Sequence, residues 1–481
     1  MNDRNITKLS IFQISHRLSF FKRWWRVFSE AVKGSDRDYT EIPLNKAVFL
    51  LAIPMVLEMA MESIFAIVDI FFVSSLGADA IATVGITESV LTLIYAIAFG
   101  LAMGTNALVS RRVGEKHFAE ASSEGMQAII TGIIISLLIA VPGLIFAKDL
   151  LRLMGASPQI ITEYSAYPAI MYGGNIVIML LFINNAIFRG AGDAAIAMRV
   201  LWIANGINLI LDPLLIFGIG PFPEMGIAGA AIATNIGRGT AVAYQFYILF
   251  NGKARVKLGI QMVKIRWLKI VHLLNISYGG ILQSIIATTS WVFMVRIISH
   301  FGSEAVAGYT IAIRIIIFLL LPSWGLSNAA STLVGQNLGA NRSDRAEQSV
   351  WKVSKINVVF LGVLSLFFIA YPEFFIRLFT TDANVVSIGA DCLRIVSYGF
   401  IFYGLGMVLV QSFNGAGDTR TPTIFNLVAF WMIEIPLAYL LAIQFGFEQR
   451  GVFYAIIIAE SSMSLMAWYF FRKGKWKTQQ V

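Results

Sequence analysis

Asn208-Leu-Ile-Leu-Asp212-Pro213 lies inside an otherwise apolar run from about Ala194 to Gly218. A run of that length crosses a bilayer core, which takes roughly 20 residues. An ionised carboxylate costs several kcal/mol at that depth, so Asp212 must face protein or water and not lipid. Asn208 sits one helical turn before Asp212 on the same face, and Asn205 lies near the same stripe. Pro213 removes the helix bond to the carbonyl of Leu209 and leaves a bare oxygen near the carboxylate. A carboxylate, a side-chain amide and a freed carbonyl suit a small hard cation or a proton. The same stripe also fits a hydrogen-bonded polar patch between packed helices.

Composition gives the class. The chain has 481 residues, 57% hydrophobic and 14% charged, with a mean hydropathy of +0.73. Soluble domains carry about 25% charged residues, so this is an all-α polytopic membrane protein. The single Cys392 makes no intrachain disulfide and lacks partners for a metal site. His16, His117, His272 and His300 are scattered near span ends and do not form a catalytic or metal cluster.

Twelve apolar spans follow from about Ile42: roughly 44–74, 80–110, 122–147, 162–188, 195–218, 226–250, 267–299, 305–335, 346–370, 386–413, 421–445 and 451–471. Lysine and arginine collect on alternate sides of them, 29 against 4, with Arg238, Arg296, Arg314 and Arg394 inside spans. The positive-inside rule then puts both termini in the cytoplasm, which places the chain in the plasma (inner) membrane. The net charge of +9 thus faces the membrane surface rather than nucleic acid. Phe20-Phe21-Lys22-Arg23-Trp24-Trp25-Arg26-Val27-Phe28 reads as a short helix on the bilayer surface, or equally as a basic tail.

An internal repeat is visible. Leu76–Ala82 matches Phe301–Ala307, Leu151-Arg152-Leu153 matches Ile376-Arg377-Leu378, and Arg189-Gly190-Ala191-Gly192-Asp193 matches Asn414–Asp418, all at a shift of 225. Val113-Gly114 matches Val334-Gly335 at 221. The chain is therefore two six-span bundles that enter from the same side, related by a pseudo-twofold axis along the membrane normal. The expected units are a basic cytoplasmic segment 1–42, a first lobe 43–250, a linker 251–269, a second lobe 270–472 and a tail 473–481. The Arg-Gly-Ala-Gly-Asp corner reads as a tight inter-helix turn, since no strand or P-loop lysine accompanies it.

The buried acids do not repeat. Asp69 stands opposite Met294, Glu58 opposite Gln283, and Asp212 opposite Ile435 when Pro213 is set on Pro436. Glu58, Glu62 and Asp69 fall within about 40° on one face of the first span. Asp69 and Asp212 both lie roughly 8 Å below the same membrane face at 1.5 Å per residue. Two carboxylates at one depth in one bundle can share a cation or proton, with Glu58, Glu62 and Glu88 along a substrate or proton pathway. Glu88, Glu434 and Glu460 also fit structural hydrogen bonds. No nucleophile–base pair or metal cluster points to an enzyme.

These residues resemble the multidrug and toxic compound extrusion (MATE) family over about residues 42–472. The motifs are Leu51-Ala52-Ile53-Pro54, Val68-Asp69-Ile70-Phe71-Phe72-Val73-Ser74-Ser75-Leu76-Gly77, the Arg-Gly-Ala-Gly-Asp corner, Asn208 through Pro213, and Gly226 through Thr234. The resemblance implies twelve helices in two bundles, alternating access, and export of amphipathic, often cationic compounds in exchange for Na+ or H+. It implies a cation site at Asp69, Asn208, Asp212 and Thr234 with Ala230 nearby, joined by Tyr167 and Asn185. Span seven offers Gln283 and span eight only Arg314 where the NorM-like branch carries acids, so the pattern looks closer to the DinF-like branch. A monomer in the bilayer with a small-molecule cargo and no cofactor beyond the coupling ion is expected. The rival is a flippase for lipid-linked oligosaccharide or peptidoglycan precursor from the wider superfamily, which would line its cavity with arginines.

Overall fold

A computed structural model describes residues 25–252 and 254–480. Among them every regular element is helical. Spans one to six are Leu44–Ser74, Ala78–Gly114, Phe118–Ile145, Ala166–Ala191, Ala194–Ile216 and Gly226–Phe250. Spans seven to twelve are Trp267–Ile298, Ser303–Gly339, Ser343–Ala370, Ala383–Ala416, Arg420–Gln444 and Glu448–Arg472. Ten of the described helices pass as membrane spans on length and apolarity alone. Span ten is an eleventh, broken by 58° between Ser397 and Phe400. Gly226–Phe250 has 25 residues and buries Gly229, Ala230, Ala231, Ala233, Gly237 and Ala241 against neighbouring helices. A helix also occupies residues 25–33; residues 20–24 of the expected surface helix lie outside the described residues.

Spans four and ten end on left-handed glycines, Gly192 at φ 91° and Gly417 at φ 90°. A side chain is strained there, which is why the Arg-Gly-Ala-Gly-Asp corner needs glycine. Asp193 N–H returns to Phe188 O at 2.7 Å and Asp418 N–H to Phe413 O at 3.0 Å, so both corners are helix-ending turns. The short helices Ala147–Leu153 and Pro372–Arg377 are a further repeated pair, on the opposite face.

The two bundles meet through spans one, two, seven and eight. Span two packs on span seven and span one on span eight, which are equivalent pairs under the repeat. The contact is built from glycines in matched places. A Cβ on Gly114 would lie 2.0 Å from Gln336 O, and one on Gly339 2.2 Å from Arg111 O. A Cβ on Gly100 would lie 2.8 Å from Ser277 O, and one on Gly325 2.5 Å from Met55 O. On the axis, Asn106 Nδ2 donates to Ser331 Oγ at 3.1 Å, its own counterpart 225 residues on. Small residues that let backbones touch are how helices associate without a hydrophobic drive. These contacts lie toward the ends that carry the basic loops. Toward the other face, Leu93 of span two and Ile317 of span eight are exposed.

Candidate functional site

Beyond Arg199, span five is apolar apart from its stripe, and the stripe is buried: Asn205 is 3% exposed, Asn208 3% and Asp212 1%. Its helix runs through Pro213 to Ile216 without a break. Span six lies close against it because Gly229 and Gly237 carry no side chain. A Cβ at these positions would sit 2.5 Å from Leu215 O and 2.7 Å from Ala204 O. That approach brings Thr234 to Asn208.

Asn208 Nδ2 stands 3.3 Å from Asp212 Oδ1 and 3.1 Å from the Thr234 hydroxyl. Turning the amide over satisfies more groups. Nδ2 then donates to Asp212 Oδ2 at 2.7 Å, and Oδ1 accepts from the Thr234 hydroxyl at 3.1 Å and from its N–H at 3.0 Å. The result is an amide that joins a carboxylate to a hydroxyl inside one lobe. Hard oxygen donors of this kind fit a small hard cation or a proton.

Ala230, 3% exposed, packs with Ile216 of span five and Val73 of span one. The last turn of span one therefore lies against spans five and six, and span one is continuous helix through position 69. The Asp69 side chain itself lies outside the described residues. Tyr167, 5% exposed, packs with Ile227 and Ala231 at the same end of span six as Ala230.

Asn185 does not join this group. It donates to Glu58 Oε1 at 3.3 Å and accepts from Gln245 Nε2 at 2.7 Å. The reason is length: eighteen residues of helix separate it from Tyr167, roughly 27 Å at 1.5 Å per residue. Glu58 is likewise tied up near the basic-loop end, where Arg189 Nη1 donates to its Oε1 at 3.2 Å. Glu58 Oε2 has no hydrogen-bond partner. Arg189→Ala would strand this buried carboxylate and is expected to destabilise the protein by about 3–5 kcal/mol. Thermal unfolding of the purified variant checks this; an unchanged midpoint would show that the pair is dispensable.

Glu62 accepts from Asn205 Nδ2 at 3.5 Å and so connects span one to the span-five stripe. Glu88 is exposed on span two. Arg238 of span six donates to Tyr95 Oη at 3.0 Å and lies within Coulombic reach of Glu62 and Glu88. The sequence marked Arg238 only as an in-span charge; its place among these acids needed the packing of spans one, two and six. Beside them stands an aromatic group. Phe182 meets Phe99 at 4.8 Å and Tyr95 at 6.0 Å between ring centroids, and Phe99 meets Trp324 of the other lobe at 6.2 Å.

In the second lobe the matching region is different. Gln283 and Asn414 exchange amide hydrogen bonds at 3.2 and 3.3 Å. Ser290 donates to Glu434 at 2.7 Å, at the end of a π-helical stretch Leu427–Glu434.

The chain matches the MatE family model twice, over residues 54–214 and 280–440. It is 26% identical over 442 residues to the probable multidrug resistance protein YoeA of Bacillus subtilis, covering 91% of this chain and 95% of that protein. It is 27% identical over 430 residues to the FAD transporter of Shewanella oneidensis, covering 89% and 94%. Its fold matches a structure described as the outward-facing conformation of a multidrug resistance MATE family transporter of the MOP superfamily. That match has a TM-score of 0.86 and 24% identity, and covers 92% of this chain and 98% of that one. Two matched copies span most of the helical core, and the chain belongs to the MatE family of membrane transporters.

Proposed function

We propose that this chain is a secondary active exporter that exchanges Na+ or H+ for amphipathic, cationic organic compounds. It works as a monomer in the plasma membrane, with both termini in the cytoplasm, and stands closer to the DinF-like than the NorM-like branch. The observation that carries the proposal is the buried Asp212–Asn208–Thr234 group in one lobe only. The lobes touch near the basic loops, which supports a state open toward the opposite, outer face. In that state Asp212, with Asp69, takes up the coupling ion. Ion and substrate must oppose each other for exchange to follow. The rings of Phe99, Phe182 and Trp324 at the lobe boundary, with Glu62 and Glu88, offer a flat cation both stacking and charge.

The flippase reading finds less support. Arg238 of span six is bonded to Tyr95, and Arg394 of span ten lies 4.0 Å from Asp391 of its own helix, so these two arginines do not converge on a pyrophosphate.

The test is uptake of a fluorescent cation into proteoliposomes, with Na+ and pH gradients imposed separately. One gradient is expected to drive flux against the cation's own gradient. Flux that responds to neither would reject the proposal.

A further inference from the structure

Residues 34–42 run across the face that carries the basic loops and hold both lobes at once. On the first lobe, Tyr39 donates its hydroxyl to Gly192 O at 3.2 Å. A Cβ on Gly192 would lie 2.6 Å from the Tyr39 ring, so this corner is shaped to receive it. Arg255 stacks its guanidinium 5.1 Å from the centre of the same ring. It donates to Ser35 O at 2.8 Å and Arg37 O at 2.6 Å, and its N–H reaches Asp193 Oδ2 at 2.9 Å. Lys116, in the loop after span two, pairs with Glu41 at 2.9 Å and Asp38 at 3.4 Å.

On the second lobe the grip is by arginine on backbone. Arg342 donates to Thr40 O at 2.6 Å, and Arg345 donates to Tyr39 O at 3.0 Å and to Ile42 O. Tyr39 is 2% exposed and sits in one apolar cluster with Ala194 of span five and with Leu338, Ala346 and Val350 of spans eight and nine. The segment thus fills the seam between lobes. Beside it lies an open pocket of about 320 Å³ lined by Thr40, Glu41, Gly114, Lys116, Gly339 and Arg342. Gly114 and Gly339 are the paired glycines of the lobe contact, so the segment caps the point where the lobes meet.

The ion pairs hold through the neutral range. Burial alone would raise the Asp38 carboxyl, but hydrogen bonds from Thr40 and Lys116 lower it below its ordinary value. Glu41 and Asp38 raise Lys116. A depressed carboxyl stabilises docking at pH above its unfolded value and loses that contribution only as pH falls through the lowered one. The segment also lies outside both stretches matched by the family model, 54–214 and 280–440.

We propose that residues 34–42 are a latch. Docked on Arg255 and Lys116 of one side and Arg342 and Arg345 of the other, they hold the lobes together on the basic-loop face. They run on into span one of the first lobe, so they must leave the second lobe before that face can open. Charge-assisted hydrogen bonds are the strong ones, and three of them tie the latch to span nine. The proposal rests on the alternating-access reading above.

Its test is a distance measurement between spin labels at Ala119→Cys and Lys355→Cys, exposed sites on either lobe, in nanodiscs. The native Cys392 is buried and stays unlabelled. Arg342→Ala with Arg345→Ala is expected to raise the population with lobes apart at least tenfold over the parent. A distribution identical to the parent overturns the latch. Independently, Thr40→Cys and Arg342→Cys joined by a thiol cross-linker are expected to stop transport until the linker is cleaved. Transport at the parent rate in the cross-linked protein also overturns it. A parent that shows one lobe distance under every ion and substrate condition would instead refute alternating access.

Discussion

Asparagine at Asp212 is expected to lower gradient-driven export about a hundredfold while the protein still inserts and folds. The magnitude is near the upper end of typical coupling between two ligands, roughly 5–150-fold. Asparagine keeps the volume of the side chain and an oxygen for Asn208 Nδ2, which donates to Asp212 at 2.7 Å. It removes only the ionisable group, at a position 1% exposed. Stability should change little, since a buried carboxylate becomes a neutral amide with the same main partner. Efflux measured beside thermal unfolding separates the two effects. Asp69→Asn is expected to give the same loss. Full export by both variants would remove the first lobe's acids from the mechanism.

Alanine at Gly114 or Gly339 is the second large effect. The added methyl would stand 2.0 Å from Gln336 O in one case and 2.2 Å from Arg111 O in the other. Both obstacles are backbone oxygens, which cannot rotate aside as a side chain can. The lobes must part, at a cost of about 1–3 kcal/mol for each overpacked site. At 1.36 kcal/mol per factor of ten, the double variant should hold the closed seam at least tenfold less often. Thr332, fully buried beside Asn106, reports on it: a cysteine there should react with a membrane-impermeant maleimide at least tenfold faster in the double variant. Unchanged reactivity would mean that these glycines do not seal the basic-loop face.

These glycines also show what could and could not be seen before the fold. The shift of 225 was legible because glycine corners repeat in order, but Gly114 was set on Gly335 at a shift of 221; spans two and eight have equal length, so its true counterpart is Gly339 at 225. Their purpose was not legible, since a glycine carries no mark of which backbone approaches it. The Asn208–Asp212 stripe was readable from helical spacing, and Thr234 came from family resemblance. Asn185 came from the motif match; the length of span four carries it toward the basic-loop end, where it meets Glu58 and Gln245. Glu58 drew attention as a buried acid, but its partner Arg189 is 131 residues away, and only packing joins them. The latch left no signal at all: Arg342 and Arg345 grip backbone oxygens, which every sequence has.

The hydrogen bond between Asn106 and Ser331 has an evolutionary meaning. Residues that touch their own equivalents across an axis are what a symmetric homodimer has. The reciprocal seats of Gly114 on Gln336 and Gly339 on Arg111 have the same form. Such surfaces are self-complementary, so a half-length ancestor could pair with its twin before fusion joined the two genes. Once fused, the two copies were free to place their acids differently: span five has Asp212 beside Asn208, and span eleven has Glu434 beside Ser290.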